Sequence, residues 1–164
     1  MAQIVEAINE VYNINKHQSK SVFLAGGITN CIDWQAELIK EIQDFDNLVV
    51  YNPRRKNFPI HDPNASEEQI TWEYEHLRDA DMIIFWFSRG SLNPIVLYEL
   101  GRWGNSSDKK IVIGIDPEYE RTTDVTIQTL LSRPDTKFVC TIKEMSDEIF
   151  NFITGIHHRK YTEK

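Results

Sequence analysis

The sequence is poor in cysteine, in positive charge and in long apolar runs, and each shortage excludes a class of protein. Its two cysteines, Cys31 and Cys140, lie far apart and form no CxxC pair, which indicates reduced thiols rather than a disulfide framework or a zinc site. A net charge of -7 argues against wrapping a nucleic-acid backbone. No apolar run could span a bilayer, and the N-terminus lacks a signal-peptide pattern. We therefore expect a cytoplasmic protein that binds neither nucleic acid nor membrane.

Metal-binding and dinucleotide-binding patterns are also missing. The pairs His61-Asp62 and His157-His158 have no third ligand at metal spacing. Gly26-Gly27 follows an apolar stretch but is no G-x-G-x-x-G, and no acidic residue follows at dinucleotide spacing. We predict no metal and no cofactor.

The sequence does contain a regular alternation of helical and strand patterns. Five short apolar segments predict strands: SVFLA (21–25), LVVY (48–51), MIIFWF (82–87), IVIGI (111–115) and KFVC (137–140). The run at 82–87 is apolar throughout, as expected for a strand buried on both faces. Strands that alternate with helices predict an α/β fold: a single-domain flavodoxin-like three-layer sandwich with a five-stranded parallel sheet in the order 2-1-3-4-5.

We expect one domain over residues 1–164. Residues 1–20 are predicted to form an N-terminal helix and link, 21–140 the sheet core, and 141–164 a C-terminal helix and tail. The first helix is predicted from the spacing of four apolar residues: Ile4, Ile8, Val11 and Tyr12.

Ligands of open parallel sheets bind beyond the carboxyl ends of the strands. Four stretches follow predicted strands: 26–29, 52–55, 88–93 and the residues from 116 onward. We therefore look for chemistry in and beside these stretches.

The segment NPIVLYELGRWG (93–104) places a glutamate in an apolar helical stripe. Asn93 is a favourable N-cap and Pro94 suits the first helical position. At helical spacing Glu99 shares a face with Val96, Leu100 and Trp103. A carboxylate among residues that seek the core is a candidate for chemistry.

A second glutamate behaves in the same way on the preceding predicted helix. Glu73 shares a face with Ile70, Tyr74 and Leu77, and Ser66 with Gln69 makes a capping box for that helix. Two carboxyls that face one crevice can divide into an acid and a base or nucleophile, because burial and like charge raise the pKa of one. The alternative is that each glutamate pairs with an arginine, for which four are available: Arg54, Arg55, Arg78 and Arg102.

Other residues beside these strand ends are candidates for substrate binding. Gly26 and Gly27 would let a ligand approach the backbone closely. The loop with Asn52 also carries Arg54 and Arg55, which could hydrogen-bond a base edge or grip a 5′-phosphate, or simply pair with surface acids. Two aromatic residues end the third predicted strand and could stack on a purine or pyrimidine: Trp86 and Phe87.

Four segments together resemble one family: FLAGGIT, NPRR, ITWEYEHLRDADMIIFWF and PIVLYELGRWG, in this order. The pattern W-E-x-x-x-L-x-x-A-D followed by Y-E-L-G resembles the nucleoside 2-deoxyribosyltransferase-like proteins, over residues 21 to about 128. The resemblance implies that Glu99 attacks C1′ of a 2′-deoxynucleoside, leaving a glycosyl-enzyme ester. It implies that Glu73 handles the proton of the leaving base.

The resemblance also implies a homo-oligomer, in which Asp124 could complete the site of a neighbouring subunit. Two residues depart from the family pattern. Phe23 stands where better-known members have a tyrosine that steadies the nucleophile, and Asn93 where they have an aspartate that holds the sugar hydroxyls. Asparagine can still accept and donate hydrogen bonds, so that sugar binding through Asn93 is retained in principle.

With this resemblance, the sequence predicts an enzyme that cleaves the N-glycosidic bond of (deoxy)nucleosides and transfers the sugar to another base through Glu99. Its partners are expected to be small-molecule nucleosides, nucleotides or free bases. We expect Glu99, near polar Asn93, to stay ionised, and Glu73, beside Trp72 and Tyr74, to have the raised pKa. Two alternatives stay open: a nucleoside 5′-monophosphate N-glycosidase, in which water takes the sugar, and a nucleotide-derivative binding module without turnover.

Overall fold

The computed structural model describes residues 1–9, 18–59 and 61–156. They form a parallel sheet in the order β1-β3-β2-β4-β5-β6. The strands are β1 (Gln3–Glu6), β2 (Lys20–Gly26), β3 (Leu48–Asn52), β4 (Met82–Phe87), β5 (Lys110–Ile115) and β6 (Lys137–Val139). The helices are α1 (Trp34–Ile42), α2 (Ala65–Asp79), α3 (Pro94–Trp103), α4 (Thr122–Ser132) and α5 (Ile142–Thr154).

The predicted fold class is confirmed, with one strand more than expected. The five predicted strands are β2 to β6, and their neighbour order is the predicted one. One core cluster contains residues of α2, α3 and α4, and the other contains residues of α1 and α5. The sheet therefore lies between two helical layers, which makes the three-layer sandwich.

The additional strand is β1, where the sequence predicts a helix. In the structure Gln3–Glu6 pairs in parallel with β3, with Val5 buried and Ile4 exposed. Ile4 and Ile8 fit a helical spacing, but pairing with an existing sheet edge satisfies the backbone of residues 3–6 and overrides a weak local pattern. Val11 and Tyr12 lie outside the described residues.

Strand β4 separates the two cores, because successive side chains of a strand point to opposite faces. Phe85 and Phe87 pack in the core beneath α2, α3 and α4, whereas Ile84 and Trp86 pack in the core beneath α1 and α5. The side chain of any β4 residue can therefore contact only one of the two helical layers.

The chain reverses its direction of sheet growth between β2 and β4. It adds β3 on one side of β2 and then returns to add β4 on the other side. The loops after β2 and β4 consequently flank a crevice at the carboxyl edge, which is the usual ligand position in such sheets.

Within residues 1–9, 18–59 and 61–156, no helix has the length and apolarity needed to cross a membrane.

Candidate active site

A cavity of about 270 Å³ opens at this crevice, between β2, α2 and α3. Its wall contains both glutamates singled out from the sequence. The lining residues are Phe23, Ala25, Gly26, Gly27, Ile28, Thr29, Pro53, Glu73, Ser91, Asn93, Pro94, Ile95, Val96 and Glu99. The structure thus brings Glu73, Glu99, Gly26, Gly27 and Asn93 together, as the sequence predicts.

Glu99 is held at the cavity by the helix stripe that carries it. Val96 is buried in the core, while Leu100 and Trp103 pack against it, so this face of α3 turns inward. Glu99 forms no hydrogen bond or ion pair with any residue that the structure describes. The arginine pairing that the sequence left open is therefore not seen for Glu99 in the described chain.

Glu73 lines the same cavity from α2, but the inward face predicted for this helix is found only in part. Leu77 is buried, whereas Ile70 is 63% exposed and Tyr74 is 39% exposed. The inward face of α2 instead carries Gln69 and Leu77, one turn on either side of Glu73. Gln69 donates a hydrogen bond to Glu73 Oε1 at 2.7 Å.

Burial raises the pKa of both carboxyls. Desolvation, followed by the charge of Glu73, raises the pKa of Glu99 to about 8. Desolvation also raises the pKa of Glu73, and the hydrogen bond from Gln69 opposes that rise. A pKa of about 8 keeps Glu99 largely protonated at neutral pH in the free protein, against the expectation that it stays ionised, because burial and then the charge of Glu73 disfavour its carboxylate.

The two glycines after β2 make room for side chains as well as for a ligand. A Cβ on Gly26 would lie 2.4 Å from the Trp34 ring, and one on Gly27 would lie 2.1 Å from Asn93 Oδ1. Neither has the positive φ that favours glycine. Close packing of Trp34 and Asn93 against the backbone therefore requires glycine here.

Asn93 begins α3 in a way that the sequence did not indicate. It has left-handed backbone angles and its side chain does not cap the helix. Nδ2 instead donates to the carbonyls of Ser88 (2.9 Å) and Ser91 (2.8 Å). The amide thereby ties together the loop between β4 and α3, and its Oδ1 accepts a hydrogen bond from Cys31 Sγ at 3.8 Å. At the other predicted cap, α2 starts at Ala65, so Ser66 and Gln69 form no capping box.

The guanidinium of Arg54 is already occupied by the chain itself. Its Nη1 and Nη2 atoms donate to Gln35 Oε1 and to the carbonyls of Ile28, Cys31 and Ile32. Arg54 is not among the residues that line the cavity, and in this structure its guanidinium holds the loop after β2.

Asn52 and Arg55 also lie away from the lining residues. Asn52 Oδ1 accepts a hydrogen bond from the backbone of Arg54, which turns the chain after β3. The Arg55 guanidinium lies over the Phe58 ring, and its buried Nη1 has no hydrogen-bond partner among the described residues.

The predicted stacking residues do not reach the cavity. Phe87 is fully buried in the core beside Tyr119, and Trp86 faces the other side of the sheet, beside Trp34. Asp124 lies in a separate groove between α3 and α4 and pairs with Arg121. Base stacking by Trp86 or Phe87 is therefore wrong for this cavity.

Sequence reasoning missed two polar neighbours of the glutamates, Gln69 and Ser91. Gln69 stands four residues before Glu73, a spacing that places two helical side chains side by side and could have indicated their contact. Ser91 lies in a loop, where spacing gives no such signal.

In the described part of the chain, no group of three or more His, Cys, Asp or Glu side chains is arranged to hold a metal ion.

The fold and cavity together define a parallel α/β domain that desolvates two carboxyls at a ligand crevice. The sequence model of the family described as "nucleoside 2-deoxyribosyltransferase like" matches residues 19–119. The chain belongs to the nucleoside 2-deoxyribosyltransferase-like family. The match spans β2 through the start of the segment after β5, and so includes Glu73 and Glu99.

A solved structure agrees with the fold. A structure titled as that of a conserved protein from Enterococcus faecalis superposes with a TM-score of 0.61, covering 82% of this chain and 99% of that chain at 15% identity. This similarity concerns the fold alone. No curated protein matches the sequence.

Proposed function

We propose that this protein is an enzyme that cleaves the N-glycosidic bond of (deoxy)nucleosides through a covalent glycosyl-Glu99 intermediate and transfers the sugar to another base. The observation that carries the proposal is the unpaired Glu99 carboxyl, which shares a cavity wall with Glu73. A carboxyl without partners in the described chain has its oxygens available for bond formation. The description of the family supports the same substrate class.

The two carboxyls share one proton in this mechanism. Ionising both would place two like charges in one poorly solvated cavity. The reactive form has Glu99 ionised and Glu73 protonated. Because the pKa of Glu99 is about 8 in the free protein, the shared proton has to pass from Glu99 to Glu73 when the sugar binds. The positive charge that develops at C1′ favours this arrangement electrostatically.

In the first half-reaction a Glu99 oxygen forms a bond to C1′ as the bond from C1′ to the base nitrogen breaks. The electron pair of the broken bond goes to the base, which takes the proton of Glu73. In the second half-reaction an incoming base attacks C1′, releases Glu99 as a carboxylate and returns a proton to Glu73. Two inversions at C1′ retain its configuration.

The decisive experiment incubates the protein with a panel of deoxynucleosides, deoxynucleotides and free bases and follows both the bases and the sugar. Base exchange without free sugar is the expected result. Glu99→Gln is expected to remove nearly all turnover while ligand-induced stabilisation persists. Near wild-type turnover of Glu99→Gln would contradict the covalent mechanism.

A 5′-monophosphate N-glycosidase is the second candidate, and Arg55 is the observation that favours it. Its buried Nη1 lacks a hydrogen-bond partner within residues 1–9, 18–59 and 61–156, so it has a donor to offer an anion. Free sugar phosphate as the product would select this reaction. Stabilisation by nucleotides with no product at all would select a binding module, the alternative raised by Phe23 and Asn93.

We further propose that the protein acts in the cytoplasm as a homo-oligomer. Its two cysteines are free thiols, as the reducing cytoplasm permits. The neighbouring helices α3 and α4 expose large apolar side chains beside the groove that contains Asp124. These are Leu97, Tyr98, Ile127, Leu130 and Leu131. A second copy is the partner that would cover them, since it brings an identical apolar face.

A further inference from the structure

We propose that Gln69 is a positioning residue that keeps the acid proton of Glu73 on Oε2, leaving Oε1 as a hydrogen-bond acceptor. This inference rests on the proposed function, because it concerns the proton that the departing base receives. It starts from a buried amide that the mechanism described so far does not use.

Gln69 is only 9% exposed and lies on α2, one turn before Glu73. Its Nε2 donates two hydrogen bonds of 2.7 Å each, one to the carbonyl oxygen of Pro53 and one to Glu73 Oε1. Pro53 follows β3, so this amide connects the carboxyl edge of the sheet to the acid on the helix.

The orientation of the amide follows from the chemistry of its partners. The carbonyl of Pro53 can only accept, so the NH2 group of Gln69 has to face it. The second hydrogen of the same nitrogen then points to Glu73. Turning the amide over would place Gln69 Oε1 against the Pro53 carbonyl. Gln69 Oε1 has no partner among the described residues, so this orientation is kept although it leaves a buried acceptor unpaired.

The orientation of the amide determines which Glu73 oxygen carries the proton. A carbonyl-type oxygen accepts an N–H far better than a hydroxyl oxygen does, so the neutral acid keeps its proton on Oε2. When that O–H bond breaks and the base gains an N–H bond, the Gln69 donor remains on the new carboxylate and stabilises its charge. The groups that face Glu73 from other elements are the carboxyl of Glu99 on α3, the Pro53 carbonyl and the Phe23 ring on β2.

The test compares wild type with Gln69→Met and Gln69→Glu, which keep the side-chain length but lose the pair of N–H donors. Gln43→Met is the matched control, because Gln43 is an exposed glutamine at the end of α1. Each protein is assayed on a deoxynucleoside and on a nitrophenyl deoxyriboside, whose leaving group needs no proton. Thermal unfolding verifies that each variant is folded. If Gln69→Met does not fold, Gln69→Glu takes its place in the assays.

We expect Gln69→Met to lower kcat on the deoxynucleoside by about 10- to 100-fold with KM nearly unchanged, and to spare the nitrophenyl substrate. The basic limb of the pH profile should move to higher pH, because removing the donor raises the pKa of Glu73. Equal loss on both substrates, or no loss on either, would overturn the role of Gln69 while leaving the proposed function intact. If wild type cleaves neither substrate, the proposed function itself fails.

Discussion

Glu99 opposes folding at the pH where it has to react. Its folded-state pKa of about 8 lies above the ordinary value of 4.5. Below pH 4.5 both states hold the proton and nothing is lost. As pH rises from 4.5 to 8 the unfolded chain releases the proton first, so the free energy of unfolding falls and stays lower above pH 8. We predict that Glu99→Gln stabilises the protein at pH 8.5 by on the order of 2–4 kcal/mol and by little at pH 4.

Denaturant unfolding at several pH values checks this gain. Glu75→Gln is the control, since Glu75 is an exposed carboxyl on α2. The placement of Glu99 in a desolvated site would be disproved if its variant and the Glu75 variant showed the same change across the pH range.

The buried amide of Asn93 makes contacts that an aspartate could not make at neutral pH. Nδ2 donates to two carbonyls, of Ser88 and Ser91, at a residue that is almost fully buried. An aspartate would aim a carboxylate at both. We predict that Asn93→Asp lowers the free energy of unfolding by about 2–4 kcal/mol at neutral pH and lowers turnover.

The loss from Asn93→Asp should shrink at low pH, where a protonated carboxyl can donate to one carbonyl. Asn105→Asp, on an exposed residue just after α3, controls for the added charge. Higher turnover with unchanged stability would mean that the loop rearranges and that an aspartate at position 93 serves the substrate better than the asparagine does.

At the scale of elements, the loop between β2 and α1 depends on a residue from another loop. Arg54 follows β3, yet its guanidinium binds three carbonyls of that loop. Three residues of the loop line the cavity: Gly27, Ile28 and Thr29. We predict that Arg54→Ala raises KM for nucleosides and for 5′-monophosphates by the same factor, because it loosens a wall common to both.

Arg55→Ala is the matched comparison, since it removes the neighbouring guanidinium without touching that loop. It should weaken 5′-monophosphates more than nucleosides if its unpaired Nη1 meets the phosphate. Steady-state kinetics with each nucleoside and its 5′-monophosphate distinguishes the two. Selective loss of monophosphates in Arg54→Ala would mean that Arg54 leaves its carbonyls to bind phosphate.

Elements with strong local patterns are the ones that sequence reasoning predicts. The apolar run of β4 and the inward stripe of α3 leave little choice of structure, and both are found. Residues 3–6 have no such pattern, and only the free edge of β3 makes them a strand. Side-chain direction is harder still: Trp86 and Phe87 both end β4, but the strand alternates, so neither could be assigned to a face from sequence alone.

At the scale of the whole molecule, the candidate site joins four separate segments of the chain: residues 23–29, Pro53, Glu73 and residues 91–99. The two glutamates could be predicted because each interrupts an apolar face and also matches a family motif. The contacts of Arg54 with Ile28 and of Gln69 with Pro53 could not, since each depends on which carbonyl another loop presents. Those of Asn93 could not either, since they depend on how its own loop turns. Local patterns thus predicted the two carboxyls that line the cavity, and tertiary structure decided which neighbours surround them.

The outer surface formed by α3 and α4 leads to the last prediction. Tyr98 is 67%, Ile127 54% and Leu131 80% exposed, on helices that flank one groove. Burying such side chains against a second copy would stabilise the assembly by about 1.5–3 kcal/mol for each side chain that is fully covered.

We predict that light scattering gives the wild-type protein a mass that is a multiple of 19.2 kDa. The double variant Ile127→Glu, Leu131→Glu is expected to be a monomer. Ile156→Glu, an exposed isoleucine after α5, should not dissociate the assembly. Loss of turnover in the monomeric variant would support a contribution of Asp124 to the site of a neighbouring subunit, and full turnover would refute that contribution. If the wild-type protein is itself a monomer, the proposed interface is refuted.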